Sequence, residues 1–274
     1  MARYGFDMLS LMLAAVEVLS FNVRYDNSSD AHNSWSVRRS SVQDYLIQSR
    51  ADFIGLQEVL PQQFQQLRGG LTEYEVLYRT RDSDSGQGEG TPLWYRSDRW
   101  KPDPSLQGTF WLSEQPEKAG SKSWDASLPR ICTWARFIRI GDGEPQAIWI
   151  WNTHFDHRGK ASRLRSARLI RQKIEQRPSA FTVEPVVVLG DLNTTPGTPP
   201  LLALGLADAH ASSTSGTWNG WDSAQKKGRR IDYILSRGLD SISSKVDFPL
   251  TPKGTPVSDH WPVRSVLQTP RRPF

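Results

Sequence analysis

Short apolar runs rich in β-branched residues recur along the chain, each of strand length and bounded by turn-forming residues. They span 16–23, 52–56, 74–78, 92–95, 134–140, 147–151, 186–189, 231–235 and 263–267. Arg136-Phe137-Ile138-Arg139-Ile140 partly alternates, which predicts a half-buried strand. Val186-Val187-Val188-Leu189 is continuously apolar, which predicts a strand buried on both faces. Helical periodicity fills the gaps. Segment 37–49 places Val42, Leu46 and Ile47 on one face, 61–67 opens with Pro at a first helical position, and 161–176 aligns Leu164, Ala167, Ile170 and Ile174. The remaining positions of that last helix carry Arg163, Arg165, Arg168, Arg171 and Lys173, which read as a solvated face in preference to a nucleic-acid patch. Strands interleaved with helices predict an α/β class. With no internal repeat and no Pro/Ser/Gly linker, 16–268 reads as one domain, 1–15 as a lead-in and 269–274 as a tail.

Composition changes this picture little. At 274 residues, 37% hydrophobic and 23% charged, the chain is an ordinary globular protein with enough length for a sizeable core. A formal net charge of +5 weakly favours an anionic substrate. The single cysteine, Cys132, excludes an internal disulfide and a cysteine-based zinc site. It also suits a reducing compartment, so a cytoplasmic location is expected. The alternative is export, because the mostly apolar stretch 4–16 has some features of a signal peptide, although Asp7 and the single Arg3 count against one. No run approaches the roughly 18 apolar residues of a membrane span.

Candidate chemistry sits where apolar runs end in polar residues. Asn22 follows Phe21, Glu58 follows Gln57, and His154 closes Asn152-Thr153-His154. Asp191 and Asn193 lie in Gly190-Asp191-Leu192-Asn193, Asp232 in Ile231-Asp232-Tyr233, and Asp259 and His260 in Ser258-Asp259-His260. Each fragment alone is commoner as a strand end, a turn or a structural histidine. Together they supply what phosphate-ester hydrolysis needs. Glu58 and Asp259 offer hard oxygen ligands for Mg²⁺ or Mn²⁺, with Asn22 as a neutral oxygen. Asp191, Asn193 or His260 can orient water or act as base, His154, Asn193 and His260 can donate to phosphoryl oxygens, and Asp232 can fix the tautomer of His260.

The ordered set resembles the endonuclease/exonuclease/phosphatase superfamily, from about Val16 to Val266. That superfamily includes pancreatic-type deoxyribonucleases, exonuclease-III-type repair nucleases, neutral sphingomyelinases, inositol polyphosphate 5-phosphatases and deadenylases. The resemblance implies a DNase I-like four-layered α/β sandwich, two packed mixed β-sheets flanked by helices, with the site at one edge. It implies that Glu58 ligates the metal, with Asn22 and Asp259 beside it directly or through water. Asp191 and Asn193 would align the nucleophilic water and the phosphate, and His154 would donate to a phosphoryl oxygen. His260, oriented by Asp232, would be base or electrostatic stabiliser; the choice between that pair and Asp191 as base stays open. Stretches such as Asn22-Val23-Arg24-Tyr25-Asp26 and Thr153-His154-Phe155-Asp156-His157 look like one bacterial branch of metal-dependent hydrolases.

Two further residues are candidates for substrate contact. Arg130 precedes a strand and has the planar fork that suits phosphate, the alternative being a surface ion pair. Tyr95 ends a strand after Gly90-Thr91-Pro92, the alternative being a half-buried strand aromatic. Glu89 faces either the site or water, and His157 reads as a loop histidine. Specificity is expected from loops 108–130 and 212–229, whose Trp111, Trp124, Trp218 and Trp221 either stack on a base or sugar or pack against the sandwich. The leading expectation is therefore a monomeric, metal-dependent phosphoesterase acting on nucleic acid, a phospholipid headgroup or a small phosphorylated molecule. The competing readings are a binding module that has lost the chemistry, and a hydrolase of a non-phosphate substrate such as a glycan, for which paired carboxylates also serve.

Overall fold

The computed structural model describes residues 15–83, 85–141 and 146–270, so most of the N-terminal lead-in and the end of the tail lie outside the described residues. Two sheets of six strands are formed. In the first, β1 (Val16–Asn22) and β2 (Phe53–Gln57) run parallel. Parallel neighbours need a crossover, and α1 (Trp35–Ser49) supplies it. α2 (Pro61–Arg68) follows β2, and β3 (Tyr74–Leu77) and β4 (Leu93–Arg96) extend that side of the sheet.

The second sheet repeats the plan. β5 (Trp100–Trp111) and β6 (Ile131–Arg139) precede a parallel pair, β7 (Ala147–His154) and β8 (Val186–Asp191), joined through α3 (Lys160–Glu175). After α4 (Pro199–Leu204), β9 (Ala207–Asp208) and β10 (Asp232–Arg237) lie beyond β8. The chain then returns to the first sheet as β11 (Asp240–Val246) and β12 (Val263–Gln268), the latter antiparallel to β1.

One apolar core lies between the sheets, including Val18, Phe53, Leu93, Phe137, Ile148, Val187, Leu189 and Ile234. A second lies under α1 and α2, and a third under α3 and α4. Helix, sheet, sheet, helix is the four-layered sandwich expected. Both faces of the central strands are covered, which is why Val186–Leu189 show no alternation.

The expected strands are all present, and three more were hidden. β5 contains Pro102 and Pro104, and its register slips between Pro102 and Gln107, so it lacks a strand pattern. β11 is an edge strand of mostly exposed polar residues, and β9 is two residues long. β6 starts at Ile131 instead of 134. Two helix faces also differ from expectation. Ile47 is 44% exposed, and α1 instead buries Trp35, Arg38, Val42, Leu46 and Ser49. Leu164 is only half-buried, because α3 turns Ser162 and Ser166 inward where its first turn is tied to Asp125 through the Ala161 and Ser162 amides. Arg165, Arg168 and Arg171 are exposed, Arg171 pairing with Glu175 one turn on.

At one edge the sheets are pinned by buried amides. Asn152 on β7 donates to Leu56 O (2.9 Å) and Pro92 O (2.8 Å) of the first sheet and accepts from Gln57 Nε2 (2.8 Å). Asn22 on β1 donates to Asp191 on β8 (3.1 Å). The approach is possible because position 55 has no side chain. A Cβ on Gly55 would lie 1.7 Å from Leu189 Cδ1 and 2.8 Å from the Asn152 amide. Gly55→Ala should therefore destabilise the protein by about 1–3 kcal/mol, read as a lower urea midpoint with an unchanged m-value.

Candidate active site

The topology decides what meets. Parallel strands end on the same side, so the C-terminal ends of β1, β2, β7 and β8 share one edge. Asn22 is opposite Gln57 in register, His154 opposite Asp191, and Asp232, opening β10, opposite Asp191. Trp218 bridges to His260, which brings the segment before β12 to the same edge. The result is a cleft of about 600 Å³ lined by Glu58, His154, Asp191, Asn193, Asp259 and His260. Asn22 and Asp232 stand just behind, fully buried. A groove of about 670 Å³ between α1 and residues 247–252 gathers no comparable chemistry.

Glu58 adopts φ +62°, a conformation that costs a non-glycine residue energy, and it lies one residue past the strand. Arg24 (φ +58°) and Asn193 (φ +48°) share this strain. Glu58 Oε1 accepts from Asn22 Nδ2 (3.0 Å) and Oε2 from the Tyr25 amide (3.1 Å). Burial works against its charge, but the Asn22 bond, the positive charge of His260, the Tyr25 amide and Arg24 together hold it below the usual carboxylate range. Burial raises Asp259, with the charge of Glu58 adding to the effect against the pull of His260. Two carboxylates thus compete for charge in one place. Arg24 Nη1 is 3.9 Å from Asp259, and its fork is committed to Asp30. Oxygen donors with unbalanced negative charge are the set that a hard divalent cation fits.

Behind them, Arg38 is buried with no carboxylate on its guanidinium. It donates to the carbonyls of Asn33 (3.0 Å), Arg24 (2.6 Å), Val257 (3.3 Å) and Val23. It thereby ties the loop after β1 to the segment that carries Asp259. Burial lowers its pKa to about 10, against the raising effect of Asp259, Asp30 and Glu58.

His260 and Asp232 form a pair, Nδ1 to Oδ2 at 2.9 Å. Burial alone would strip a proton from His260, but the charges of Asp232, Asp191 and Asp259 outweigh it, and the imidazole is held well above its usual pKa as a cation. Its Nε2 is 3.8 Å from Asp191 Oδ2. Burial, then the charge of Asp232, pushes Asp191 up to about 7. Asp191, Asp232 and His260 offer ligand atoms within 4.8 Å of one another, close enough for a metal. His260 Nδ1 is already bonded to Asp232 Oδ2 (2.9 Å), an arrangement suited to proton and charge handling, while the all-oxygen Glu58 side suits a hard cation.

Arg130 is 5% exposed, not a surface ion pair, and its Nη1 lies 2.9 Å from His154 Nδ1. Arginine only donates, so Nδ1 must accept. Burial and the charges of Arg130 and Arg81 keep His154 well below its usual pKa, hence neutral. The proton therefore sits on Nε2, 3.4 Å from Asp191 Oδ2. Asn193 Nδ2 gives one of its two hydrogens to Phe155 O (3.0 Å) and also stands 3.1 Å from the same Nε2, where it competes with a ring proton, and Asn193 N caps Asp191 Oδ1 (2.9 Å). The loop leading to Arg130 is anchored by Asp156. Its Oδ2 accepts from Ser127 N (3.0 Å), Ser127 Oγ (2.8 Å) and Leu128 N (3.1 Å), and its Oδ1 from Arg158 N (2.9 Å) and Gly159 N (2.7 Å).

Tyr95 is the candidate the structure does not bring to the cleft. It sits in the inter-sheet core with its ring 5.0 Å from Phe137. In β4 the alternate face points between the sheets, not along the edge. Glu89 does line the cleft, both oxygens held by Arg81 (2.6 and 2.8 Å), and His157 reaches Arg130 Nη2 (3.3 Å). Arg24, Tyr25, Arg81 and Arg229 also line it and were missed. Arg24 and Tyr25 could have been suspected from their adjacency to Asn22; Arg81 and Arg229 carry no local signal. Of the loop tryptophans, Trp111 is core and donates to Arg81 O (2.6 Å), and Trp124 bonds Glu114 (3.1 Å). Trp221 lies against Arg38, and Trp218 opens on the cleft.

Comparisons with known proteins agree with this fold. A family model described as Endonuclease/Exonuclease/phosphatase family matches residues 19–260. A Bacteroides vulgatus structure described as an endonuclease/exonuclease/phosphatase is 33% identical, covering 94% of this chain and 100% of its own, with a TM-score of 0.85. A mannosyl-6-phosphatase from Bacteroides thetaiotaomicron is 28% identical over 92% of this chain and 99% of its own, TM-score 0.83. Carbon catabolite repressor protein 4 homolog 2 of Arabidopsis thaliana is 24% identical in an alignment 233 residues long that covers 70% of this chain but only 38% of that protein. No described helix is long and apolar enough to cross a membrane.

Two predictions follow from the hydrogen bonds. Nitrogen-15 NMR should find His154 protonated at Nε2 alone, and Arg130→Met should give a tautomer mixture; a wild-type Nδ1–H signal would refute the assignment. For Asp156, burial is outweighed by the Gly159, Ser127, Arg158 and Leu128 donors, and its pKa is lowered. Its stabilisation is then complete at neutral pH and lost as pH falls below about 4. In Asp156→Asn the amide NH₂ faces donors in either flip. The variant should lose about 3 kcal/mol at pH 7 by urea unfolding, with the gap to wild type shrinking below about pH 4.

Proposed function

The chain belongs to the endonuclease/exonuclease/phosphatase family, and from that premise we propose that it hydrolyses a phosphate ester with the help of a divalent cation. The observation that carries this reading is the convergence of a charged, strained Glu58 with Asp191, His154 and His260 in one cleft. Glu58 would hold the cation, with Asn22 and Asp259 beside it. Bound there, Mg²⁺ or Mn²⁺ would neutralise negative charge developing on the phosphoryl oxygens.

The remaining steps belong to the chain's own groups. Asp191 takes the proton of the attacking water as its oxygen bonds phosphorus, and the ester P–O bond breaks to release the alcohol, protonated from solvent; Asp191 Oδ1 is tied to the Asn193 amide while Oδ2 faces Asn22 and both imidazoles. Cationic His260, braced by Asp232, stabilises the phosphoryl oxygens in flight. His154 donates its Nε2–H to the phosphoryl group, and buried Arg130 adds positive charge at that wall. The mannosyl-6-phosphatase of similar sequence and structure supports a phosphorylated small molecule as substrate.

Chelator should abolish hydrolysis of a phosphate-ester panel, and Mn²⁺ should restore it. Glu58→Gln should weaken metal affinity at least about tenfold by calorimetry, and His260→Ala should lower kcat more than about a hundredfold. Hydrolysis that persists in excess chelator would overturn the reading.

A further inference from the structure

Of the chain's 11 tryptophans, Trp218 is treated differently. Trp94, Trp100, Trp111, Trp149, Trp151 and Trp261 are at most 2% exposed, whereas Trp218 is 38% exposed and is the only aromatic among the large exposed apolar side chains described. Its indole is open to solvent on the wall of the cleft that gathers Glu58, His154, Asp191 and His260, where an apolar body with a polar edge can meet a bound molecule.

Its position is built with the same backbone that carries the catalytic groups. Trp218 bridges to His260, and its amide is bonded to Arg229 O (3.1 Å). The next two amides, Asn219 and Gly220, both donate to Asp259 O (2.9 and 3.1 Å). Gly220 has φ +58°, and a Cβ there would lie 3.0 Å from the indole carbons, so the glycine keeps the ring's seat clear. The Arg229 guanidinium stands 5.8 Å from the ring centre. An indole fixed to His260 and Asp259 has a set distance from any phosphate those residues handle.

We infer that Trp218 is a stacking platform for a ring in the alcohol to which the phosphate is esterified, an inference that rests on the phosphoesterase reading. A face that stacks on an indole can come from a pyranose, through its C–H groups, or from a planar nucleobase. The lining favours the hydroxylated ring, since Glu89 and His157 offer polar partners while Leu128 and Ile231 are its only aliphatic residues.

The test compares wild type, Trp218→Ala and Trp218→Phe with Mn²⁺ on glucose 6-phosphate, mannose 6-phosphate, adenosine 5′-monophosphate and glycerol 3-phosphate. The ratio of kcat/KM for a ring-bearing ester over glycerol 3-phosphate should fall about tenfold in Trp218→Ala and recover in Trp218→Phe. A fall confined to the hexose phosphates assigns a sugar, and one confined to the nucleotide assigns a base. A ratio unmoved in Trp218→Ala overturns the platform. If wild type cleaves none of these esters, the phosphoesterase reading fails for them. The platform is then judged by indole fluorescence, where a hexose 6-phosphate-induced change absent from Trp218→Phe sustains it and no change in wild type overturns it.

Discussion

Two sheets that share an apolar core are held against sliding by the buried amides at one edge. Asn152 reaches from the second sheet to backbone carbonyls of the first, and Asn22 reaches back to Asp191. In a dry interior each such group would be costly if unpaired, so the relative position of the sheets is set to within a hydrogen-bond length. Gly55 permits the approach by leaving room for Leu189 and Asn152. Every distance between Glu58 on one sheet and His154 or Asp191 on the other inherits that setting.

The same edge concentrates charge. Glu58, Asp191, Asp232 and Asp259 all act electrostatically on His260, which with Arg24 offsets part of their charge. Arg38 and Arg130 are buried nearby and bond chiefly to carbonyls and imidazoles. Each sheet contributes one strand–helix–strand unit, so the arrangement draws on two crossovers ending side by side.

Much of this was legible in the sequence because polar residues that end buried strands stand out against apolar runs. Asn22, Glu58, His154 and Asp191 stand out as candidates that way, and the structure brings them to one edge; the order of the fragments carried the fold. What failed was orientation. The two-residue period of a strand says that Tyr95 has a face but not whether that face looks between the sheets or along the edge. In the helices, the apolar count pointed to Ile47 and Leu164, while burial was decided by where α1 and α3 meet neighbouring loops, which needs Arg38, Ser162 and Ser166 inside. Arg81 and Arg229 arrive from loops far away in the chain, and nothing local marks them. β5 and β11 were obscured by proline and by exposure at a sheet edge.

The positive φ angles of Arg24, Glu58 and Asn193 have an evolutionary and practical consequence. Glycine would relax the backbone at each of these positions, and relief of strain of that kind is one way to a more stable protein. Here it would remove the side chains gathered around the cleft. A lineage, or a laboratory screen, that selects this chain for endurance alone would drift toward a sturdier sandwich with an emptied cleft.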